Sequence, residues 1–350
     1  MLGLFGEEIN PSLQQFYLDG DIDGLFEHYR RVGFPHYQRE SYSPKGELEQ
    51  IIGASVSYYS QSERKYKKYS ASNGFLFSYF PHWIDVHCGK SPSLHECWDD
   101  DALLRTLIEK TVTFCQKHGE GWTENRIRQN AKVYCAKQTV SNFNPVCAKL
   151  LYNEFATDGT VYDMSMGWGG RLLGFYASSA QKYIGTDPSV KTFLGLSELN
   201  MDLSRACRPR KSVAMFNCGS ESFVPEPLIG SVDFCFTSPP YFDTEKYSDE
   251  PTQSYIAFPE PGLWLNDFLG QTMANCFALL KENGVMAINI AKFPDSIIPL
   301  AESKGFKHLE TRQYEISSVS NTSSKCEPIY IFTKGDFLIK KQHTLFDIWQ

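Results

Sequence analysis

From about residue 150 onward the chain alternates short apolar runs with helix-like stretches, and this alternation limits its fold more than any other feature. Thr160–Met164, Lys182–Thr186, Val213–Asn217, Val232–Thr237 and Gly284–Ala291 read as strands. Gly170–Ala180, Ser189–Asp202 and Trp264–Lys281 read as helices between them. Strands joined through helices run parallel, because each crossover returns the chain to the same end of the sheet. Phe306–Ile316 and Glu327–Lys334, on either side of the polar stretch SSVSNTSSKC, read as an antiparallel pair. Residues 121–335 are therefore expected to form one α/β domain, a mostly parallel sheet with helices on both faces.

Residues 1–120 have a different texture, rich in Tyr, Phe, His and Ser, with helical pieces expected at Pro11–Arg31 and Asp100–Lys117. They read as a mainly helical accessory or target-recognition region, and residues 336–350 as a tail. No run approaches the roughly 20 apolar residues of a membrane span. The start MLGLFGEEINPSLQQ lacks the basic and apolar regions of a signal peptide, so a cytoplasmic location is expected. Ten cysteines are scattered from Cys88 to Cys326 and read mostly as buried thiols. His82, His87, Cys88, His95 and Cys97 lie close in sequence but lack the paired CxxC spacing of structural zinc sites, so no metal is expected.

Three segments carry the chemistry. Val161 to Arg171 runs from a strand through a glycine-rich turn, Gly167-Trp168-Gly169-Gly170, into a helix. Glycines there allow a sharp turn and the close approach of a nucleotide-like ligand, although the pattern is not the GxGxxG dinucleotide fingerprint. One strand later, Asp187 stands at a strand's C-terminal end, where a carboxylate can accept both hydroxyls of a ribose or cap the following helix. Further on, the apolar run Asp233–Thr237 stops in Ser238-Pro239-Pro240-Tyr241. Two prolines cannot continue a sheet ladder, so they present an extended backbone with outward carbonyls next to an aromatic ring.

With these segments in place, residues 138–334 resemble the DNA amino-methyltransferases, which make N4-methylcytosine or N6-methyladenine. The likeness rests on Ser238-Pro239-Pro240-Tyr241, the glycine turn, Asp187 and the upstream segment Ser141-Asn142-Phe143-Asn144-Pro145. It implies a Rossmann-like class I methyltransferase fold with a seven-stranded sheet. It also implies S-adenosyl-L-methionine as cofactor, held by Phe143, Asp163, Gly167, Gly169, Gly170 and Asp187. In this family the segment around Phe143 packs on the methionine end of the cofactor. Ser238 and the Pro239 carbonyl would accept the hydrogens of an exocyclic base amine, and Tyr241 would stack on a flipped base. Serine before the prolines favours cytosine N4 over adenine N6. Cytosine C5 methylation needs a cysteine nucleophile, usually after proline, and the chain has no Pro-Cys dipeptide.

The net charge of −7 excludes a protein basic all over, but not local basic surfaces. Arg64, Lys65, Lys67 and Lys68, interleaved with Tyr66 and Tyr69, form a candidate stretch for phosphate contact and base stacking. Arg126–Lys137 and Arg205–Lys211 are further basic stretches. No separate recognition region follows Tyr241, so recognition is expected from residues 1–120 or from the loop Phe242–Gly262. The competing readings are an RNA base methyltransferase and a catalytically silent nucleic-acid-binding subunit. In the tail, Gln342, Leu345 and Phe346 resemble the short peptide that attaches DNA-processing proteins to sliding clamps, or else pack on the catalytic domain.

Overall fold

The computed structural model describes residues 10–54, 56–136, 140–320 and 323–335, the side chains of residues 56, 317–320, 323 and 324 excepted. The tail with Gln342, Leu345 and Phe346 lies outside the described residues.

The strands are β1 (Tyr59–Ser60), β2 (Lys65–Tyr66), β3 (His87–Cys88), β4 (Thr160–Asp163), β5 (Lys182–Thr186), β6 (Ser212–Phe216), β7 (Val232–Thr237), β8 (Glu245–Lys246), β9 (Leu280–Asn289), β10 (Lys307–Ser320) and β11 (Ser323–Thr333). The body of the main sheet has the spatial order β6-β5-β4-β7-β9-β11-β10, and β11 runs antiparallel to both of its neighbours. Counted along the chain this is 3-2-1-4-5-7-6, the Rossmann-like class I methyltransferase order. The order reverses between β4 and β7, where open α/β sheets leave a crevice beyond the strand ends.

The sheet has nine strands among the described residues, against the seven expected. The hairpin β1–β2 adds itself to the open edge by parallel pairing of β2 with β10, supported by the Gln313 amide donating to the Arg64 carbonyl at 2.8 Å. An unpaired edge exposes a row of backbone donors and acceptors, and the hairpin covers part of it.

One face of β7 carries Phe234 and Phe236, which meet Tyr152 of helix Pro145–Phe155. The other face carries Cys235, in a core with Met273 and Cys276 of helix Gly270–Leu279 and Ile297 and Ala301 of helix Pro294–Ser303. Alternation along the strand sends successive side chains to opposite faces, so both need helical cover.

The chain divides into two compact units, one of residues 1–41, 80–141 and 243–249, the other of 42–79, 142–242 and 250–350. This differs from a boundary at residue 120 in three places. Residues 42–79 join the sheet-bearing unit because β2 extends its sheet and Lys149 caps helix Pro44–Gly53. The Lys149 ammonium donates to the carbonyls of Ile51, Ile52 and Ala54 at 3.1, 2.7 and 3.1 Å, satisfying groups a helix end leaves open. Residues 121–141 fall in the first unit, where Asn130 of helix Glu124–Tyr134 bonds Thr111 of helix Asp101–His118. Residues 243–249 also fall there, through the β3–β8 pairing.

The helix expected over Pro11–Arg31 is two, Pro11–Asp19 and Ile22–Val32. Gly20 takes a left-handed φ of 69° that ends the first, and the Asp21 side chain caps the second. Strands β10 and β11 run through most of the polar stretch read as their loop, with three register shifts along the pair. No described helix is long and apolar enough to cross a membrane.

Candidate active site at the strand ends

The glycine turn follows β4 and leads into the helix Gly170–Tyr176. Gly167 and Gly169 have φ of 55° and 78°, a region that costs other residues strain. At Gly169 a Cβ would overlap Leu199, and at Gly170 it would overlap the Phe143 carbonyl. These two glycines therefore let the Phe143 segment and the neighbouring helix close onto the turn. Gly167 is different: a Cβ there would meet only the Ser165 carbonyl at 3.8 Å, so its outer side is open to a ligand.

Asp163 and Asp187 stand at neighbouring strand ends with different surroundings. Asp163 is 1% exposed, and its Oδ2 accepts from Arg171 Nε at 2.9 Å and from the Tyr183 hydroxyl at 2.8 Å. Its Oδ1 accepts from the Ser165 amide, whose carbonyl is in turn held by Arg171. Asp163 thus sits beneath the turn in a buried ion pair. Arg171 also lies over the rings of Phe143 and Phe236, at 5.5 and 5.9 Å.

In Asp187 each oxygen accepts one backbone amide, Oδ2 from Gly167 at 2.9 Å and Oδ1 from Ser189 at 3.1 Å. Burial pushes its carboxyl up to about 7, against the pull of those two amides. Asn217 holds the Asp187 backbone carbonyl at 2.9 Å.

Phe143 is half-buried and stacks on Tyr314, with centroids 4.9 Å apart and planes 17° apart. Its neighbour Asn142 is buried, and neither atom of its carboxamide has a hydrogen-bond partner among the described residues. Leaving such a group unpaired is costly, and a ligand that paired with it would remove that cost.

At the end of β7 the backbone leaves the sheet at Ser238. Ser238 is half-buried, and neither its hydroxyl nor the Pro239 carbonyl bonds to another described residue. Thr237, just before it, is buried, and its hydroxyl has no hydrogen-bond partner among the described residues. Pro239 is buried, Pro240 is half-buried, and Tyr241 packs partly against the core. The Tyr241 hydroxyl donates to Glu327 at 2.6 Å and lies 3.4 Å from the Asn289 carboxamide oxygen. Phe242 follows at a left-handed φ of 55°, its ring buried against Trp264 and Phe293. Backbone strain in an aromatic residue persists only where packing over-determines it.

The structure thus gathers the glycine turn, Asp187, Phe143 and Ser238–Tyr241 in the sheet-bearing unit, at the ends of β4, β5 and β7. Residues that the sequence reading did not single out are Asn142, Arg171, Asn289, Tyr314 and Glu327. Asn142 and Arg171 lie inside segments that were read, but only the fold shows which of their neighbours are already bonded.

The basic stretch at 64–68 lies on the β1–β2 hairpin. Arg64 pairs with Glu310 at 3.4 Å and Lys65 with Glu63 at 2.8 Å, while Lys67 and Lys68 are exposed. Tyr66 is 1% exposed and its hydroxyl accepts from Arg312, so the base-stacking role read for it is corrected: the ring is committed to the core. The other basic stretches also hold structural residues. Arg128 donates to the Pro35 carbonyl at 2.9 Å. Lys211 donates to the carbonyls of Phe175 and Ser178, and burial brings its ammonium down to about 8. His87 pairs with Glu96, and His95 with Asp85 and Asp99. Among the described residues no three His, Cys, Asp or Glu side chains converge as metal ligands.

No protein-family model and no curated protein matches the sequence. Solved structures with a similar fold include TrmN from Thermus thermophilus, at 15% identity and a TM-score of 0.37, covering 56% of this chain and 49% of that one. Another is TYW2 from M. jannaschii in complex with AdoMet, at 14% identity and a TM-score of 0.35, covering 54% and 74%. A third is 1,6-didemethyltoxoflavin-N1-methyltransferase from Burkholderia thailandensis with S-adenosylhomocysteine, at 11% identity and a TM-score of 0.37, covering 54% and 77%.

Proposed function

We propose that the chain methylates an exocyclic amino group of a base in DNA, cytosine N4 before adenine N6, with S-adenosylmethionine as methyl donor. The observation that carries this reading is the Ser238 hydroxyl and Pro239 carbonyl at the end of β7, neither bonded to another described residue, in the same sheet whose β5 is followed directly by Asp187. When bound, S-adenosylmethionine supplies an electrophilic methyl group. Three features fit it: the Asn142 carboxamide beside Phe143, unpartnered among the described residues, the open side of Gly167, and the Asp187 carboxyl group, each oxygen of which accepts one backbone amide. Asp187 would accept the ribose hydroxyls, Gly169 and Gly170 would shape the turn, and Phe143 and Asn142 would meet the methionine end. Asp163 would act from below by fixing Arg171 and the Ser165 amide.

An exocyclic base amine is a weak nucleophile because its lone pair is delocalised into the ring. Ser238 Oγ and the Pro239 carbonyl would each accept one of its hydrogens, which pyramidalises the nitrogen and aims its lone pair. The nitrogen held by Ser238 Oγ and the Pro239 carbonyl would take up the methyl group, the donor being left as S-adenosylhomocysteine, and would give one proton to solvent. Pro240 keeps the platform extended, and Tyr241 stacks on the flipped base. The gain comes from alignment, with no covalent enzyme intermediate. Exposed Lys67 and Lys68, with Arg64 and Lys65 more weakly, would contact phosphates.

The deciding experiment incubates the protein with methyl-labelled S-adenosylmethionine and either DNA or RNA, followed by nucleoside mass spectrometry. Labelled N4-methylcytosine from DNA is expected. N6-methyladenine would keep the chemistry and change the base, and label in RNA alone would change the substrate. No label in either, with cofactor bound, would sink the reading.

The raised carboxyl of Asp187 sets a pH dependence. Below about 7 the free protein holds Asp187 protonated and loses an acceptor, so binding the ribose must release that proton. Affinity for S-adenosylhomocysteine is expected to be about tenfold weaker at pH 6 than at pH 8 by calorimetry. In Asp187→Asn it should be weak and flat across this range. The linkage for folding runs the other way. The ligand-free fold keeps a proton that the unfolded chain loses above about pH 4, so this group's contribution falls as pH rises toward 7.

A further inference from the structure

Tyr314 on β10 and Glu327 on β11 are direct cross-strand partners. Residues opposite each other on adjacent strands send their side chains to the same face, with Cβ atoms about 5 Å apart. These two reach different parts of the site. Tyr314 stacks on Phe143, and its hydroxyl accepts the Asn144 amide at 3.1 Å. Asn144 in turn caps helix Pro145–Phe155, its Oδ1 accepting from Val146 at 2.8 Å and Cys147 at 3.1 Å. Glu327 accepts the Tyr241 hydroxyl at 2.6 Å, a short bond of the charge-assisted kind. Asn289, at the end of β9, locks the same point by donating to the Pro328 carbonyl at 3.0 Å.

We infer that Tyr314 and Glu327 are a pair of positioning residues that set the cofactor segment and the base platform in register with each other. This rests on the reading above, in which Phe143 meets the cofactor and Tyr241 meets the base. Methyl transfer needs the nitrogen, the methyl carbon and the sulfur in line, and a displacement of about 1 Å can cost about 100-fold in rate. Phe143 and Tyr241 are nearly 100 residues apart on separate loops, and loops alone hold such geometry poorly. A single rung of an antiparallel ladder gives both a common rigid reference. Neither Tyr314 nor Glu327 need touch a reactant for this.

The test uses the full chain and pairs turnover with two measurements that need none. Glu327→Ala and Tyr241→Phe are each expected to lower kcat about tenfold, with S-adenosylhomocysteine affinity unchanged by calorimetry. The double variant should lose no more than either single one, because both remove the same bond. Glu327→Gln should keep most of the activity, since its carboxamide oxygen still accepts. Tyr314→Leu should weaken S-adenosylhomocysteine binding about tenfold, which Glu327→Ala should not. For a readout in the ligand-free protein, 3-fluorotyrosine at position 241 should shift its fluorine resonance in Glu327→Ala. Additive losses in the double variant, an unmoved resonance, or unchanged cofactor affinity in Tyr314→Leu would overturn the pairing. If the wild-type protein methylates no nucleic acid while the resonance shift and the affinity pattern hold, the pairing stands and the substrate reading falls.

Discussion

Replacing Tyr241 by alanine is expected to lower methyl transfer by two to three orders of magnitude while the protein still binds S-adenosylhomocysteine normally. Two losses combine. The ring offers a stacking surface for the flipped base, worth about 1–3 kcal/mol by the usual effect of truncating such a platform. Its hydroxyl, anchored to Glu327, fixes the angle of that surface, so truncation also frees the base to wander from the line of transfer. Tyr241→Phe keeps the first contribution and loses the second, and should fall between the two. The measurement is single-turnover kinetics with saturating cofactor, together with calorimetry. Full activity in a folded Tyr241→Ala protein would remove Tyr241 from the mechanism.

Asp163→Ala is expected to act on stability. The substitution leaves the buried Arg171 guanidinium without its carboxylate and the Tyr183 hydroxyl without its acceptor. Breaking one side of a buried ion pair typically costs about 3–5 kcal/mol. For a unit of this size that corresponds to a fall in melting temperature on the order of 10 °C. Adding Arg171→Met to the same protein should recover part of it, since the stranded charge is then gone. A residue whose main business was the cofactor would behave differently: the melting temperature would hold and only ligand affinity would drop. Thermal unfolding of the single and double variants in the absence of cofactor separates the two roles.

Much of the sheet could be read from the sequence because β5 and β7 are short, largely apolar or aromatic segments bounded by turn residues. Each fills a fully covered position in the sheet, where nearly every side chain is buried. The Ser-Pro-Pro-Tyr platform was legible for the same reason that it is rigid, since proline restricts the backbone whatever surrounds it. The hairpin β1–β2 left no such trace. Its strands are two residues each, too short for any period, and they are held by the edge of β10. Asp163 and Asp187 look alike in sequence, each an acid at a strand end, and only packing separates a committed ion pair from a carboxylate with acceptor capacity left. The Tyr314–Glu327 rung was hidden by register, because a pair of long strands with three shifts has no pairing that spacing alone reveals.

The interleaving of the two units bears on how the protein is made. The chain passes from one unit to the other after Ser41, Tyr79, Ser141, Phe242 and Asp249. As it leaves the ribosome, the first unit must wait for Glu245 and Lys246 before β3 has its partner, and the second must wait for β11 near its far end. The first unit has its last segment once residue 249 has emerged, but by then the second is already begun and stays unfinished until β11 is out, unlike domains laid end to end. Until about residue 333 has emerged, the parallel core of the sheet lacks its last two strands and keeps apolar surface in water. Nascent chains of this protein are therefore expected to depend on holding chaperones until release, and a gene cut at residue 120 should yield two fragments, neither of which folds.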